Sequence, residues 1–251
     1  MALSVAFGAF VASLTLVLAA GIVRFLVPAQ RLRALVLLAA WMLYAGGLGA
    51  AGVLGNAGLR PPGIAYVVVP AIALTAFLAR SRTGVAIALA VPTWLLLGAQ
   101  SLRVVVEVFL DRLAHAGRLP ALMTFQGGNV DILIGISALV VAALCRVGRL
   151  DTRVAIAWNL AGMVSLANVV VRGILTSPAV HAIRVDAPSA IATYPFTFIP
   201  AFVVPMALML HVLALRALRE ASHDGGSSRR TSRPALRSPL VKDYVPPSYR
   251  S

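Results

Sequence analysis

The sequence predicts an all-α polytopic membrane protein, a bundle of about seven transmembrane helices. Of the 251 residues, 60% are hydrophobic and only 12% are charged, and the mean hydropathy is +0.91. This is more apolar than a soluble domain needs for one core. Segments of roughly 20 apolar residues, long enough to span a bilayer as helices, fill the chain from residue 3 to residue 216. We therefore expect the lipid bilayer to surround one domain over residues 1–218.

Seven apolar segments make up this predicted domain, and each is apolar on nearly every face, as a lipid-embedded helix should be. The first segment lacks a positively charged start, and its apolar run is longer than that of a signal peptide, so we expect it to be retained as a helix. The predicted spans, numbered 1 to 7, are 3–26, 34–54, 62–79, 84–113, 120–145, 153–177 and 190–215.

The arginines predict the orientation, because positively charged loops stay on the cytoplasmic side of a membrane. The loops after spans 1, 3 and 5 are rich in arginine. The loops after spans 2, 4 and 6 contain fewer arginines, or contain acidic residues that balance the arginine charge. The N-terminus is therefore predicted outside and the C-terminus inside. This topology accounts for most of the formal net charge of +14, so no nucleic acid is expected as a partner. The arginines of the predicted inner loops are Arg24, Arg31, Arg33, Arg80, Arg82, Arg146, Arg149 and Arg153.

The segment after the last span, 219–251, is predicted to be a disordered basic cytoplasmic tail. From about residue 222 it is rich in Ser, Pro, Gly and Arg, with too little apolar surface to offset the entropy of ordering. Its arginines either enforce the topology or contact anionic lipid or a protein partner. The chain has 21 arginines and one lysine, a bias that fits a GC-rich bacterial genome. The bacterial inner membrane is therefore the expected location.

Several classes of cofactor are not expected. The single lysine, Lys242, lies in the tail, which excludes a retinal Schiff base inside the membrane. Cys145 is the only cysteine, so a thiolate zinc site and an iron–sulfur cluster are excluded. His211 is the only histidine clearly within a span, which favours a packing role over haem ligation. We expect no cofactor and no metal.

The polar residues concentrate in the hairpin of spans 4 and 5. Arg103, Glu107 and Asp111 are spaced i, i+4, i+8 and share one face of a helix, which predicts a ladder of ion pairs. Antiparallel pairing around a turn near Gly117 places Asp131 level with Arg103. A carboxylate at that depth is costly unless it is paired or protonated. Arg103 is therefore its predicted partner.

The stretch beside Asp131, MTFQGGNVD, contains a double glycine that permits close approach and weakens a helix. We expect it to be unwound or tightly packed and to line a polar cavity. Span 6 adds polar residues near the same level. The sequence thus predicts an outward-facing polar site between spans 4 and 7, with the ligand-binding residues Arg103, Glu107, Gln126, Asn129, Asp131, Asn168 and Arg172.

The same stretch carries a resemblance. From Met123 to Leu133 it reads MTFQGGNVDIL, and it resembles a group of bacterial seven-helix membrane proteins with an M-T-F-E-G-x-N-x-D-I motif. The likeness covers about residues 100–215, and Gln126 stands where the group carries Glu, so a role that needs a charge there does not carry over. The resemblance implies the fold and the membrane location, and no activity. Outside the motif it is carried by Arg103, Glu107, Asn159, Asn168 and residues 200–205.

Three functions fit this polar cluster. The first, which we expect, is the binding of a small polar ligand or ion by a transporter-like or sensory protein, because ionisable residues inside a membrane usually serve a function. The second is a structural or accessory subunit: two arginines and two acids sum to zero and could simply fix the helix register. The third is a membrane enzyme that uses Glu107 and Asp131 as acid and base, although no motif indicates a substrate.

Overall fold

The computed structural model describes residues 1–177, 180 and 187–231, with side chains described up to Ala221. These residues form helices and turns, and none of them lies in a strand. The described helices are α1 (Ala2–Phe25), α2 (Pro28–Ala50), α3 (Ala65–Arg80), α4 (Arg82–Ala90), α5 (Thr93–Gly98), α6 (Leu102–His115), α7 (Asp131–Arg146), α8 (Thr152–Leu175) and α9 (Val204–Thr231).

Five helical stretches in the described part of the chain are long and apolar enough to cross a membrane. The bent pair of α3 and α4 would add a sixth if it is counted as one span. This number of long apolar helices is that of a membrane protein. The five stretches are Ala2–Phe25, Pro28–Ala50, Thr93–His115, Thr152–Leu175 and Ile199–Ala221.

The last of these stretches lies at the centre of the bundle. α9 packs against α3, α4, α5 and α8. Of the most apolar 18 residues of this stretch, 67% are buried, compared with 17% for α1 and 11% for α2. A helix that is apolar all round and buried by its neighbours is a core helix, whereas α1 and α2 keep most of their apolar surface for lipid. The described helices are therefore arranged around α9.

The region predicted as one helix over 84–113 is broken at Val91, and its first part turns away from α3 at Ser81, inside the loop predicted after span 3. Ser81 has an extended backbone, and its Oγ accepts a hydrogen bond from Gly84 N at 3.0 Å, which caps a new helix. α4 consequently leaves α3 at an angle of 82°. Val91 is also extended, as expected for a residue before a proline, so α4 ends before Pro92 and the crossing stretch begins at Thr93.

The fifth predicted span, 120–145, is helical only from Asp131 onward. Residues 121–123 and 125–127 form two short 3-10 turns. Gly128 has a φ of +88°, and a Cβ on Gly127 would collide with the backbone of Ala121 and Leu122. An α-helix cannot continue through this conformation. The unwound segment that the double glycine predicts is therefore present.

The end of the chain differs from the prediction in two respects. The predicted span 7 began at residue 190, but residues 190–192 form a 3-10 turn, and a π-helical turn over Ile199–Val203 precedes α9. α9 continues to Thr231, past residue 219 where the predicted tail begins. Residues 232–251, which make up most of that tail, lie outside the described residues.

An aromatic cluster attaches α1 to the rest of the bundle. The ring of Phe7, which is 0% exposed, lies 5.1 Å from the ring of Phe109 in α6 and 5.0 Å from that of Phe196. Aromatic pairs at these distances contribute beyond the area they bury. Phe7 therefore holds the peripheral helix α1 in place.

Replacement of Phe7 by Ala should lower the free energy of unfolding by about 3 kcal/mol, because the cavity it leaves is surrounded by rigid rings. The measurement is reversible unfolding of the purified protein in mixed micelles. Phe77→Ala is the matched control, since the Phe77 side chain is 56% exposed and its loss should cost little. Equal destabilisation by both variants would contradict this role of Phe7.

Candidate functional site

Arg103 joins four helices near the middle of the bundle. Its Nη1 donates to Asp131 Oδ1 of α7 at 2.7 Å and to Gly162 O of α8 at 3.2 Å. Its Nη2 lies 2.9 Å from His211 Nε2 of α9. Arg103 itself is on α6 and is 4% exposed. The ion pair with Asp131 is the one that antiparallel pairing of spans 4 and 5 predicts.

The chemistry of arginine fixes the protonation of His211. A guanidinium group only donates hydrogen bonds, so His211 Nε2 must accept, and the ring proton is assigned to Nδ1 from its partners. That nitrogen lies 2.9 Å from Asn159 Oδ1, while Asn159 Nδ2 donates to Ala155 O at 2.8 Å. The result is a directional chain of hydrogen bonds from α6 through α9 to α8.

His211 is the residue of this cluster that the sequence analysis missed. A single histidine in a span favours a packing role, and His211 is indeed 0% exposed. The predicted span 7, 190–215, placed His211 near its inner end and away from Arg103, whereas the helical stretch begins only at Ile199, so no signal in the sequence joined the two residues. Gly162 is part of the same contact, because a Cβ there would collide with the His211 ring.

Asp131 occupies the N-terminus of α7. Its Oδ1 accepts from Arg103 and also from Ser165 Oγ at 2.8 Å. Its backbone N–H donates to Asn129 Oδ1 at 3.2 Å, so the Asn129 side chain satisfies the first N–H group of the helix. A negative charge at a helix N-terminus is favoured by the helix dipole. Asp131 is thus held by a cation, a hydroxyl group and its own helix.

Glu107 lies one turn from Arg103 but does not pair with it. Glu107 Oε1 accepts from the backbone N–H of Phe125 at 2.5 Å, and Oε2 accepts from Asn129 Nδ2 at 3.2 Å. Within the described ranges, the ion pairs join Arg103 to Asp131 and His115 to Asp111. The predicted ladder of Arg103, Glu107 and Asp111 is therefore wrong, because the guanidinium group turns toward α7 and α9 instead.

A small cavity separates this polar cluster from apolar helix surfaces. Its volume is about 30 Å³, enough for a water molecule or a small ion and too little for a sugar or an amino acid. Its polar lining is Arg103, Glu107, Asn129 and Asp131, and its apolar lining is Val106, Leu110, Met123, Leu166, Val169, Ile199, Val203, Val204 and Ala207.

Asn168 and Arg172 perform a different task from the one predicted. Arg172 Nη1 donates to the backbone carbonyls of Leu122 and Gly127, each at 2.7 Å, and Arg172 Nε donates to Asn168 Oδ1 at 3.0 Å. Neither side chain lines the cavity. The pair fastens the unwound segment to α8, since the carbonyls of that segment lack helical partners.

Gln126 is not part of the cluster in the structure. Its side chain is exposed, and the 3-10 turn at 125–127 directs the backbone N–H of Phe125 toward Glu107 instead. The prediction of Gln126 as a ligand-binding residue therefore finds no geometric support. Among the residues described, no group of three or more His, Cys, Asp or Glu side chains is placed to hold a metal ion.

A family model described as "Domain of unknown function (DUF8737)" matches residues 62–219, more than half of the chain. The chain belongs to this family. Neither the curated proteins nor the solved structures provide a match. The DUF8737 region begins shortly before α3 and contains every residue of the Arg103 cluster, whereas α1 and α2 precede it. The cluster is therefore a feature of the DUF8737 domain.

Gly162→Ala should separate His211 from Arg103 and lower the free energy of unfolding by about 1–3 kcal/mol, because the added methyl group overpacks a fixed contact. Unfolding in mixed micelles measures this. Gly47→Ala is the control: a Cβ there meets no atom within 4 Å, and alanine favours a helix over glycine. A Gly162→Ala variant as stable as the control would show that the His211 contact is dispensable.

Proposed function

We propose that this DUF8737 protein is a transporter-like or sensory membrane protein that binds one small monovalent cation, a metal ion or a proton, in the cavity beside Glu107. One observation carries the proposal. Glu107 is 5% exposed, lines the cavity and forms none of the ion pairs of the described residues.

The charges of the cluster support a cation. Arg103 carries one positive charge, whereas Glu107 and Asp131 carry two negative charges when both are ionised. Arg172 brings the sum of the four charged residues to zero, but its hydrogen bonds go to two carbonyls and an amide oxygen and not to Glu107. A buried carboxylate without a positive charge in contact is unfavourable. One bound cation beside Glu107 would provide that contact.

The size of the cavity narrows the ligand. At about 30 Å³ the space accommodates one small ion or one water molecule. A small polar organic ligand, which the sequence also allowed, would need a cavity about ten times larger. The geometry therefore favours the ion among the ligands considered.

The backbone around the cavity supports a transporter-like role. Irregular backbone inside a membrane protein is tolerated where it is buried in protein or lines a cavity. Many secondary transporters place their ion sites at such interrupted helices near the middle of the membrane. Here the unwound segment 121–130, directly before α7, donates two hydrogen bonds to Glu107, from the Phe125 N–H and the Asn129 side chain.

A seven-crossing topology belongs to the same proposal. α3 and α7 have 16 residues each, about 24 Å of helix, and would add two crossings to the five long stretches. α4 would then lie along the inner membrane surface. Close approaches of Gly98 to Ala142 and of Gly135 to Val104 support an α7 that runs antiparallel to α5 and α6. The N-terminus would be outside, with the tail at the inner face of a bacterial inner membrane.

The topology can be tested by labelling single cysteines in a Cys145→Ser background. A membrane-impermeant maleimide added to intact cells should modify Ala116→Cys, before α7, and should reach Val147→Cys, after α7, only once the membrane is opened. Both parent side chains are exposed, so neither site should be blocked by packing. Labelling of both cysteines from the same side would show that α7 does not cross.

The ion site can be tested by the thermal stability of the purified protein in a series of Li⁺, Na⁺, K⁺ and Cs⁺ at constant ionic strength, and in a pH series without these metals. Binding to the folded state should raise the melting temperature, with about 2.7 kcal/mol of stabilisation at a hundredfold excess over Kd. A bound proton should instead give stability that rises as the pH falls. Glu107→Gln should abolish whichever response is found.

Asp111→Asn is the matched control, because Asp111 lies one turn further along α6 and pairs with His115 outside the cavity. It should respond like the wild type. If neither metal ions nor protons stabilise the wild type through Glu107, the cluster is a structural network that holds the helices through Arg103, and the ion-binding proposal is wrong.

A further inference from the structure

We propose that α2 keeps the cavity closed, and that Trp41 is the residue through which it does so. The contact is between the Trp41 indole and the π-helical turn Ile199–Val203, which forms part of the apolar cavity wall. This inference rests on the proposed function for its purpose, since it assigns a gate to the ion cavity beside Glu107. Its structural basis is independent of any bound ion.

The first observation concerns Pro205 in α9. Proline has no N–H to donate to the carbonyl four residues before it, which here is Ala201 O. Trp41 Nε1 of α2 donates to this carbonyl at 2.8 Å. A side chain of α2 thus replaces the helical donor that Pro205 lacks, in a part of the chain where Ala201 is 0% exposed.

The same arrangement occurs a second time. Pro70 in α3 cannot donate to Tyr66 O, and Tyr44 Oη of α2 donates to that carbonyl at 2.8 Å. Trp41 and Tyr44 are three residues apart and therefore lie on one face of α2. This face carries two donors matched to two carbonyls that prolines have freed. α2 is consequently fitted to α3 and to the start of α9.

Two glycines bring α2 close enough for these bonds. A Cβ on Gly46 would touch Phe198 Cζ at 3.4 Å, and a Cβ on Gly49 would collide with the side chain of Thr197. Small residues allow helix backbones to approach closely in membranes. The glycine-rich face of α2, which the sequence shows without a partner, therefore packs against the segment before α9.

The segment that α2 holds is a wall of the cavity. Ile199 and Val203 belong to the π-helical turn and line the same cavity as Glu107. A π-helical turn contains one more residue than an α-helical turn, and such turns often mark functional sites. If the turn relaxes to α-helical geometry, the residues before Val204 rotate about the helix axis, and Ile199 and Val203 leave the wall. The bond from Trp41 to Ala201 O opposes that rotation.

This assigns different parts of the chain to binding and to control. The residues that surround Glu107 all lie within residues 62–219, the part that matches DUF8737. Trp41 and Tyr44 lie before this region, in α2, where only 11% of the most apolar 18 residues are buried. A helix held so loosely elsewhere can shift in the bilayer and carry its bond to Ala201 with it.

The test measures access to the wall. In a Cys145→Ser background, Ile199→Cys reports opening through its reaction with a small, charged, membrane-impermeant thiol reagent. Trp41→Phe keeps an aromatic ring and removes the pyrrole part of the indole with its N–H, so the labelling rate should rise at least about fivefold, the change in an equilibrium expected from the loss of one hydrogen bond. Tyr44→Phe also removes one bond from α2, to a carbonyl outside the cavity wall, and should leave the rate unchanged.

Pro205→Ala supplies a second, independent variant. It restores an N–H that competes with Trp41 for Ala201 O, favours α-helical geometry and should also raise the labelling rate. An unchanged rate in a folded Trp41→Phe protein overturns the gate, as does an equal rise in Tyr44→Phe. If Trp41→Phe does not fold, Pro205→Ala decides in the same way. Faster labelling together with no response to any cation would retain the gate and reject the ion.

Discussion

The bundle depends on the fact that one guanidinium group must find acceptors on three helices at once. Arg103 can only donate, so Asp131, Gly162 and His211 each present an acceptor to it. This requirement sets the tautomer of His211, the absence of a side chain at residue 162 and the level at which α7 begins. A cation buried at this depth tolerates little displacement, because loss of any partner would leave a charge or a polar atom without compensation.

The same group explains why Glu107 is left without a cation. Arg103 lies one helical turn away and would be the usual partner for an i, i+4 pair, yet its two terminal nitrogens are already engaged with the other helices. The unwound segment then provides hydrogen bonds to Glu107 but no charge. Structural order in the centre of the bundle and a carboxylate without a cation in contact beside the cavity thus have one cause.

The sequence predicts much of this arrangement, and the failures have physical reasons. The antiparallel register predicts the pair of Arg103 and Asp131, and the double glycine predicts the unwound segment. The role of Arg172 was beyond sequence analysis because its acceptors are backbone carbonyls, which every residue possesses. His211 was missed because its partner lies 108 positions away, on a helix whose register no local pattern reveals. The cap at Ser81 falls in the loop predicted after span 3, whereas the break before Pro92 was missed because prolines are common inside membrane helices.

The central position of α9 has a consequence for how the protein is made. α9 follows all the other described helices in the chain, yet α3, α4, α5 and α8 all pack against it. While the ribosome is still synthesising this segment, Arg103, Gln100 and Asn159 have no access to the acceptors and donors that α9 provides. Until α9 has packed, the side chains of these three residues therefore lack part of their hydrogen bonding. The polar contacts of the centre are completed only when α9 packs, so a chain that ends before α9 would leave Gln100, Arg103 and Asn159 without these partners.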